Sequence, residues 1–293
     1  MRDRKVTSYP SVRTDLRDAG ATVVDEAVCI DCNLITSRSP SDLPAFCEAI
    51  TDLKLKFAEQ YPDVTFELKF LETFDLRLVR NAYASLVLAD KRYTHLLFFD
   101  SDMGFFPTLI EKMLAADKPV VGVVSPKRGL DLAEVHAMSR KVKNIRIAEI
   151  IANGYIPEKT AYTVAYAEDG VTPIRIKFEG SLLPVNRCGT GILLIKREVF
   201  ERFRDEIPGD FLPEAPEAVR RYGVTTGYLR CFDAAATTSG VTLGEDFAFA
   251  HRWVFQLKGQ IHLVFDEFIF HIGDRKTIGN AAVRYMKRAE LGL

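Results

Sequence analysis

The chain has 293 residues, 47% of them hydrophobic, which suffices for one large core or two small ones. Lys plus Arg (39) nearly cancels Asp plus Glu (40), and a net charge of −1 supplies no general attraction to nucleic acid or an anionic membrane. No apolar run approaches the ~18 residues of a membrane span, no leader-type apolar segment follows the charged stretch Met1 to Lys5, and five cysteines do not suggest a disulfide framework, so a cytoplasmic protein with reduced thiols is expected.

Apolar strands alternating with amphipathic helices predict an α/β fold with a mainly parallel sheet. Residues 21–30 read as a strand, and 42–57 as a helix with Leu43, Phe46, Ile50, Leu53 and Phe57 on one face. Residues 64–71 alternate as a strand, and 76–89 are helical. Residues 94–99 are wholly apolar after the first two, as in a buried parallel strand. Pro107 opens a helix at a position where its missing N–H costs nothing, and 120–124 is another buried strand. From 131 to 152 the pattern is weakly helical, and 160–178 looks like two strands about the turn Glu168-Asp169-Gly170. A strand at 191–195 and a helix at 197–204 precede a long loop at 208–227, rich in Pro, Gly and charge. Residues 245–257 form an amphipathic helix with Phe247, Ala250, Val254 and Leu257 inward, and strands at 260–265 and 268–270 finish the sheet.

The sharpest chemical feature is Leu96-Leu97-Phe98-Phe99-Asp100-Ser101-Asp102, two carboxylates one residue apart where a buried strand ends. The carboxyl ends of parallel strands are where open α/β sheets bind ligands. Two acids this close repel each other unless a cation lies between them. Magnesium or manganese fits, because such ions take one or two carboxylates together with substrate phosphates. The plainer reading is a turn in which an aspartate caps the next helix. Cys29 and Cys32 have C-x-x-C spacing but lack a second pair, and read as small apolar residues near a strand.

With its neighbours the acidic stretch resembles the GT-A type nucleotide-sugar glycosyltransferases of bacteria and phages. Arg80-Asn81-Ala82-Tyr83-Ala84, then Thr94-His95-Leu96 on to Asp102-Met103-Gly104-Phe105, look like the donor-binding half of that family. So does Asp117-Lys118-Pro119-Val120-Val121-Gly122, which leads to Pro126-Lys127-Arg128. Gly189-Thr190-Gly191 is similar to the glycine loop beside the donor sugar, Gly244-Glu245-Asp246 to the acidic motif near the acceptor, and Phe270-His271-Ile272-Gly273 to the C-terminal metal-binding histidine. These pieces stand in the family's order over about residues 66–280.

The resemblance implies a Rossmann-like GT-A domain over 56–293 that moves a sugar from a nucleoside-diphosphate donor to an acceptor hydroxyl. Asp102 would bind Mn2+ or Mg2+ directly, Asp100 directly or through water or the donor ribose, and His271 would complete the site. An imidazole ligand tilts the choice toward manganese. Arg80 and Asn81 would lie on the donor side, Arg80 reaching phosphates with its planar fork. Lys276 would face the leaving diphosphate, and Gly189, Thr190 and Gly191 would let the backbone approach the sugar. Glu245 and Asp246 would be the catalytic acids, with Asp246 a general base if the enzyme inverts. Each has a plainer reading: a surface ion pair for Arg80, a solvated Lys276, an ordinary turn at the glycines, helix-terminal acids at Glu245 and Asp246, and a strand-end His271. The acceptor is open among a polysaccharide, a lipid-linked glycan, a protein or modified DNA.

The N-terminus resembles another family. Val6-Thr7-Ser8-Tyr9-Pro10, Asp15-Leu16-Arg17-Asp18-Ala19-Gly20-Ala21, Val24-Asp25-Glu26, Asn33-Leu34-Ile35-Thr36-Ser37-Arg38 and Asp42-Leu43-Pro44-Ala45-Phe46 look like the C-terminal end of the PfpI-type intracellular proteases. That family's nucleophile elbow has no counterpart in these residues, and Cys32 stands where glycine is usual. Residues 1–55 are expected to dock into the sheet, where a GT-A enzyme has its first strand and part of its base pocket. A competing reading is therefore a catalytically silent sugar-nucleotide- or partner-binding fusion. A nucleotidyltransferase also uses paired acids, but would need a glycine-rich phosphate loop after the first strand.

Overall fold

The structure, a computed structural model, describes residues 4–8, 10–26, 28–31, 34–37, 54–55, 57–67, 69, 75–100, 103–127, 129–156, 164–166, 173–175, 179–236, 240, 242–272 and 276–292. The chain divides into two compact units, Met1–Glu72 and Thr73–Leu293.

In the first unit, β1 (Lys5–Val6) pairs in parallel with β2 (Thr22–Val23) around α1 (Arg13–Asp18). Gly20 ends α1 in the left-handed region at φ +83°. Its N–H reaches the Arg17 carbonyl and that of Ala21 the Leu16 carbonyl, which satisfies the last carbonyls of the helix. The expected strand 21–30 is broken in two: β3 (Val28–Asp31) pairs with β4 (Leu34–Ser37), not with β2. The break falls at Asp25 and Glu26, whose carboxylates turn to Arg13 and Lys5 at 2.5 and 3.2 Å. Most of the helix expected at 42–57 lies outside the described residues. Of the strand expected at 64–71, the described residues 64–67 and 69 have no strand pairing.

The second unit opens with α2 (Leu76–Ala89), capped by Asp75, whose carboxylate accepts the Leu78 N–H at 3.1 Å. Then follow β5 (His95–Phe99), β6 (Met103–Phe105), α3 (Thr108–Ala115) directly after Pro107, and β7 (Val120–Val123). The weakly helical region resolves into β8 (Ser125–Pro126), the hairpin α4 (Leu132–Ser139) and α5 (Ile145–Ala152), and β9 (Tyr155–Ile156). Asn144 separates the two helices by capping the second: its side chain accepts the Arg146 and Ile147 N–H groups. β10 (Val164–Tyr166) and β11 (Pro173–Arg175) form the expected antiparallel pair. The rest of the expected pair, including its turn, lies outside the described residues.

Next come β12 (Leu182–Val185), β13 (Ile192–Lys196) and α6 (Arg197–Glu206). The expected loop 208–227 is largely structured. β14 (Phe211–Leu212) and α7 (Glu217–Arg220) lead to β15 (Tyr228–Leu229), which pairs back onto β14. β16 (Ala235–Ala236) and β17 (Thr242–Leu243) pair just before α8 (Glu245–His251), which widens into a π-turn over Arg252–Gln256. β18 (Ile261–Val264), β19 (Ile269–Ile272), β20 (Lys276–Gly279) and α9 (Ala281–Glu290) complete the chain.

The main sheet has the order β12-β18-β7-β13-β5 and confirms the α/β class. β5, β7 and β18 run in one direction, as expected. β13 is inserted antiparallel between β7 and β5, and β12 runs antiparallel at the edge, so only the β18–β7 pair is parallel. This insertion matters for the site: it brings the start of β13 beside the end of β5, with Ile192 opposite Phe99. A smaller antiparallel sheet, β20-β19-β6, sets His271 opposite Met103.

The core is organised by aromatic rings. Phe232 stacks on Phe249 at 4.7 Å, Phe249 on Phe203 at 5.4 Å, and Phe98 meets Phe232 edge-on at 5.7 Å. These contacts tie β5, α6, α8 and the loop after β15 together. Of the expected inward residues Ala250 and Leu257 are buried and Val254 packs partly buried against the core, whereas Phe247 is only partly buried; Phe249 in α8 and Trp253 in the π-turn supply the large buried rings. Truncating Phe249 to alanine removes the middle ring of this stack and should cost about 3–5 kcal/mol. Urea unfolding followed by the fluorescence of Trp253, the chain's one tryptophan, reads the loss. An unchanged midpoint would remove the stack from its organising place.

Candidate active site

At the end of β5 the Asp100 N–H donates to the Gly191 carbonyl at 2.8 Å, which fixes the glycine segment against the acidic turn. Neither Gly189 nor Gly191 adopts a positive φ. A methyl group added at Gly191 would sit 3.5 Å from Met103 and 3.7 Å from an Asp100 carboxylate oxygen, both ordinary contact distances. Glycine here keeps the face of the Asp100 carboxylate uncovered. Thr190, between the two glycines, is 2% exposed, and its hydroxyl has no hydrogen-bond partner among the described residues.

Arg80 projects from α2 into the same place and is only 6% exposed. One end of its guanidinium holds Glu245, at the first turn of α8, at 2.8 Å; the other lies 3.8 Å from Asp100. The buried guanidinium is thus matched by two carboxylates, and the expectation of a free phosphate-binding fork is replaced by a strut between elements. Asn81, the next residue, is fully buried. Its amide accepts the Phe232 N–H and donates to Asp233, both at 2.8 Å, so its side chain braces the loop after β15.

The two acids of α8 differ. Glu245 is bound to Arg80, whereas the Asp246 carboxyl is pushed up from the usual aspartate range, chiefly by burial. The Phe247 N–H opposes that shift, Glu245 adds to it, and Arg80 opposes it. Cys188, fully buried beside them, has its thiol pushed up to about 12 by burial first, then by Asp246. Arg187 and Phe247 flank the same acids, with the guanidinium carbon 5.8 Å from the ring centroid. Sequence reasoning assigned no role here to Cys188 or Arg187, and Phe247 read only as an inward residue of its helix. Adjacency to the glycine and acidic segments was the signal available for them, but nothing local showed that the two segments meet.

His271 is partly buried on β19. Its Nδ1 lies 2.9 Å from the Pro126 carbonyl. A carbonyl only accepts, so Nδ1 carries a proton and donates it there, which orients the ring. Asp102 and Ser101 lie outside the described residues, as does the side chain of Lys276. Among the described residues no group of three or more His, Cys, Asp or Glu is placed to hold a metal. The expected grouping of Asp100, Asp102 and His271 turns on Asp102 and so falls outside the described residues; two carboxylates and an imidazole are, as chemical types, ligands for manganese or magnesium.

Residues 1–53 match the DJ-1/PfpI family. An uncharacterized protein of Archaeoglobus fulgidus is 49% identical over 55 residues, which cover 18% of this chain and 33% of the relative. General stress protein 18 of Bacillus subtilis is 56% identical over 45 residues, covering 15% of this chain and 26% of the relative. The chain thus spans about a quarter to a third of the length of these relatives, and the family match ends before the acidic cluster. The crystal structure of A197 from STIV superposes with a TM-score of 0.35 at 16% identity, over 78% of this chain and 86% of that one, too low to carry an argument. No helix among the described residues is long and apolar enough to cross a membrane.

The raised Asp246 carboxyl gives a pH test. A carboxyl raised in the folded state stabilises when protonated and loses that contribution as pH rises through its folded pKa. Wild type and Asp246→Asn should have similar stability below the ordinary aspartate range, and wild type should fall behind the variant as pH is raised toward neutrality. The difference between their urea midpoints at each pH isolates this group; a difference that does not vary with pH would show that Asp246 titrates normally.

Proposed function

We propose that residues 73–293 form a metal-dependent GT-A type glycosyltransferase, which moves a sugar from a nucleoside-diphosphate sugar to an acceptor hydroxyl. The observation that carries this reading is the convergence around Arg80 of three segments distant in sequence: Asp100, Gly189 to Gly191, and the Glu245–Asp246 pair. An acidic strand end, a glycine segment and a partly desolvated acid are the parts such a transfer needs.

Asp100, Asp102 and His271 would hold Mn2+ or Mg2+, which when bound neutralises the departing diphosphate. Arg80, fixed by Glu245, orients the Asp100 carboxylate. The backbone of Gly189, Thr190 and Gly191 borders the sugar side, and Lys276 serves the diphosphate. Asp246 accepts the proton of the acceptor hydroxyl if the reaction inverts; a carboxylate raised toward neutrality is a better base than an ordinary aspartate. Cys188 and Cys231 are buried thiols that form no disulfide among the described residues, in keeping with a reducing, cytoplasmic location. The acceptor is a glycan, lipid, protein or nucleic acid that offers a hydroxyl.

A second reading, a sugar-nucleotide-binding fusion without turnover, is favoured by the DJ-1/PfpI match over 1–53, where a GT-A enzyme has part of its base pocket. Hydrolysis of a panel of nucleoside-diphosphate sugars with manganese separates the two. On the transferase reading wild type hydrolyses one donor, and Asp102→Asn loses at least about a hundredfold in manganese-dependent turnover, on the scale of removing one electrostatic stabiliser, without a change in melting temperature. Asp100→Asn loses turnover and also lowers the melting temperature, because it removes a partner of the buried Arg80. Donor binding without turnover favours the silent fusion. Full turnover by Asp102→Asn with unaltered manganese dependence removes the metal site.

A further inference from the structure

Arg187 is unlike the other arginines around the acidic cluster. Arg80 is spent on Glu245, Arg252 on Asp210 at 2.8 Å, and Arg77 on Asp75 at 3.1 Å. Arg197 donates to three backbone carbonyls and to Glu201. Arg187 is partly buried on the loop between β12 and β13; among the described residues it makes no hydrogen bond or ion pair, and its one specific contact is the Phe247 ring. The charges acting on the neighbouring Asp246 are those of Glu245 and Arg80, so Arg187 is not committed to that acid either. A guanidinium resting on an aromatic ring is held in place while the N–H donors along its edges stay available for a planar acceptor.

Phe247 immediately follows Asp246, whose carboxylate accepts the Phe247 N–H at 2.8 Å. Arg187 immediately precedes the buried Cys188 and stands three residues before Thr190, whose buried hydroxyl is also without a partner among the described residues. Two donor side chains, Arg187 and Thr190, thus stand on the segment that leads to Gly191, whose carbonyl accepts the Asp100 N–H. We propose that Arg187, seated on Phe247 beside Asp246, recognises an anionic group, a phosphate or a carboxylate, on the molecule that presents its hydroxyl to Asp246. The word acceptor for that molecule rests on the transferase reading; the anion site itself does not.

The test is a ligand-observed NMR titration of the full chain with methyl phosphate in one arm and acetate in the other, for wild type, Arg187→Met and Arg187→Lys. Methionine keeps an apolar stem on Phe247, and circular dichroism confirms that each variant folds. Wild type should bind one probe, which tells phosphate from carboxylate. Arg187→Met should weaken it roughly tenfold to a hundredfold, the range of a charge-assisted hydrogen bond, with Arg187→Lys in between. Equal binding by wild type and Arg187→Met, or no binding of either probe to wild type, overturns the proposal. Donor hydrolysis with manganese, run on the same samples, keeps the two readings apart. Arg187-dependent binding without donor turnover sinks the transferase and leaves the anion site; turnover with Arg187-independent binding does the reverse.

Discussion

Burying the Arg80 guanidinium is the constraint on which the arrangement of the site depends. A charge that is 6% exposed is tolerated only beside opposite charge. The fold must therefore keep Glu245 and Asp100 where Arg80 can reach them, and those residues come from the first turn of α8 and the end of β5. The aromatic stack of Phe98, Phe232, Phe249 and Phe203 acts on the same elements from the other side. It excludes water from beneath α8 and so strengthens the ion pair above it. Packing and electrostatics here are one device: the rings fix where α8 lies, and the arginine fixes how its first turn faces the sheet.

Sheet order adds the second requirement. With β13 antiparallel between β7 and β5, the start of one strand adjoins the end of its neighbour, and a segment just before β13 necessarily lies against a turn just after β5. That geometry puts Gly191 on Asp100. The small sheet repeats the principle on the far side of the turn, where β19 pairs with β6 and sets His271 across from Met103.

Much of the second unit was legible because its signals are local. The helix at 76–89 has a capping aspartate and a continuous apolar face, and its bounds match. The runs at His95–Phe99, Val120–Val123, Ile192–Lys196 and Ile261–Val264 are apolar enough to be strands in any context. Strand direction was not legible, because an apolar run reads the same whether its neighbour is parallel or antiparallel. α9 escaped notice because Ala281, Ala282 and Val283 give it a weak stripe, although Asn280 caps it. Along the helix at 245–257 the expected Ala250 and Leu257 are buried, while Phe249 and Trp253 were missed; the π-turn over Arg252–Gln256 departs from the regular 3.6-residue repeat at Trp253. The site residues were found as separate motifs. The role of Arg80 was not, because its partner Glu245 is 165 positions away and no local pattern encodes such a pairing.

That pairing bears on how the site can hold a cation at all. Arg80 lies 3.8 Å from Asp100, and a fixed positive charge so near a carboxylate competes with a divalent ion for the same oxygens. Left alone, Arg80 would weaken the cation site proposed on the transferase reading. Glu245 changes the balance. At 2.8 Å it is the closer partner of the guanidinium, and it neutralises most of the field that Arg80 would otherwise exert on Asp100. Asp100 keeps its orientation from the arginine, which on the transferase reading presents its carboxylate to the cation. On this account Glu245 matters through Arg80 and not as a second acid beside Asp246. The two adjacent carboxylates then have separate duties, one electrostatic and one, on the transferase reading, as the group that takes the proton.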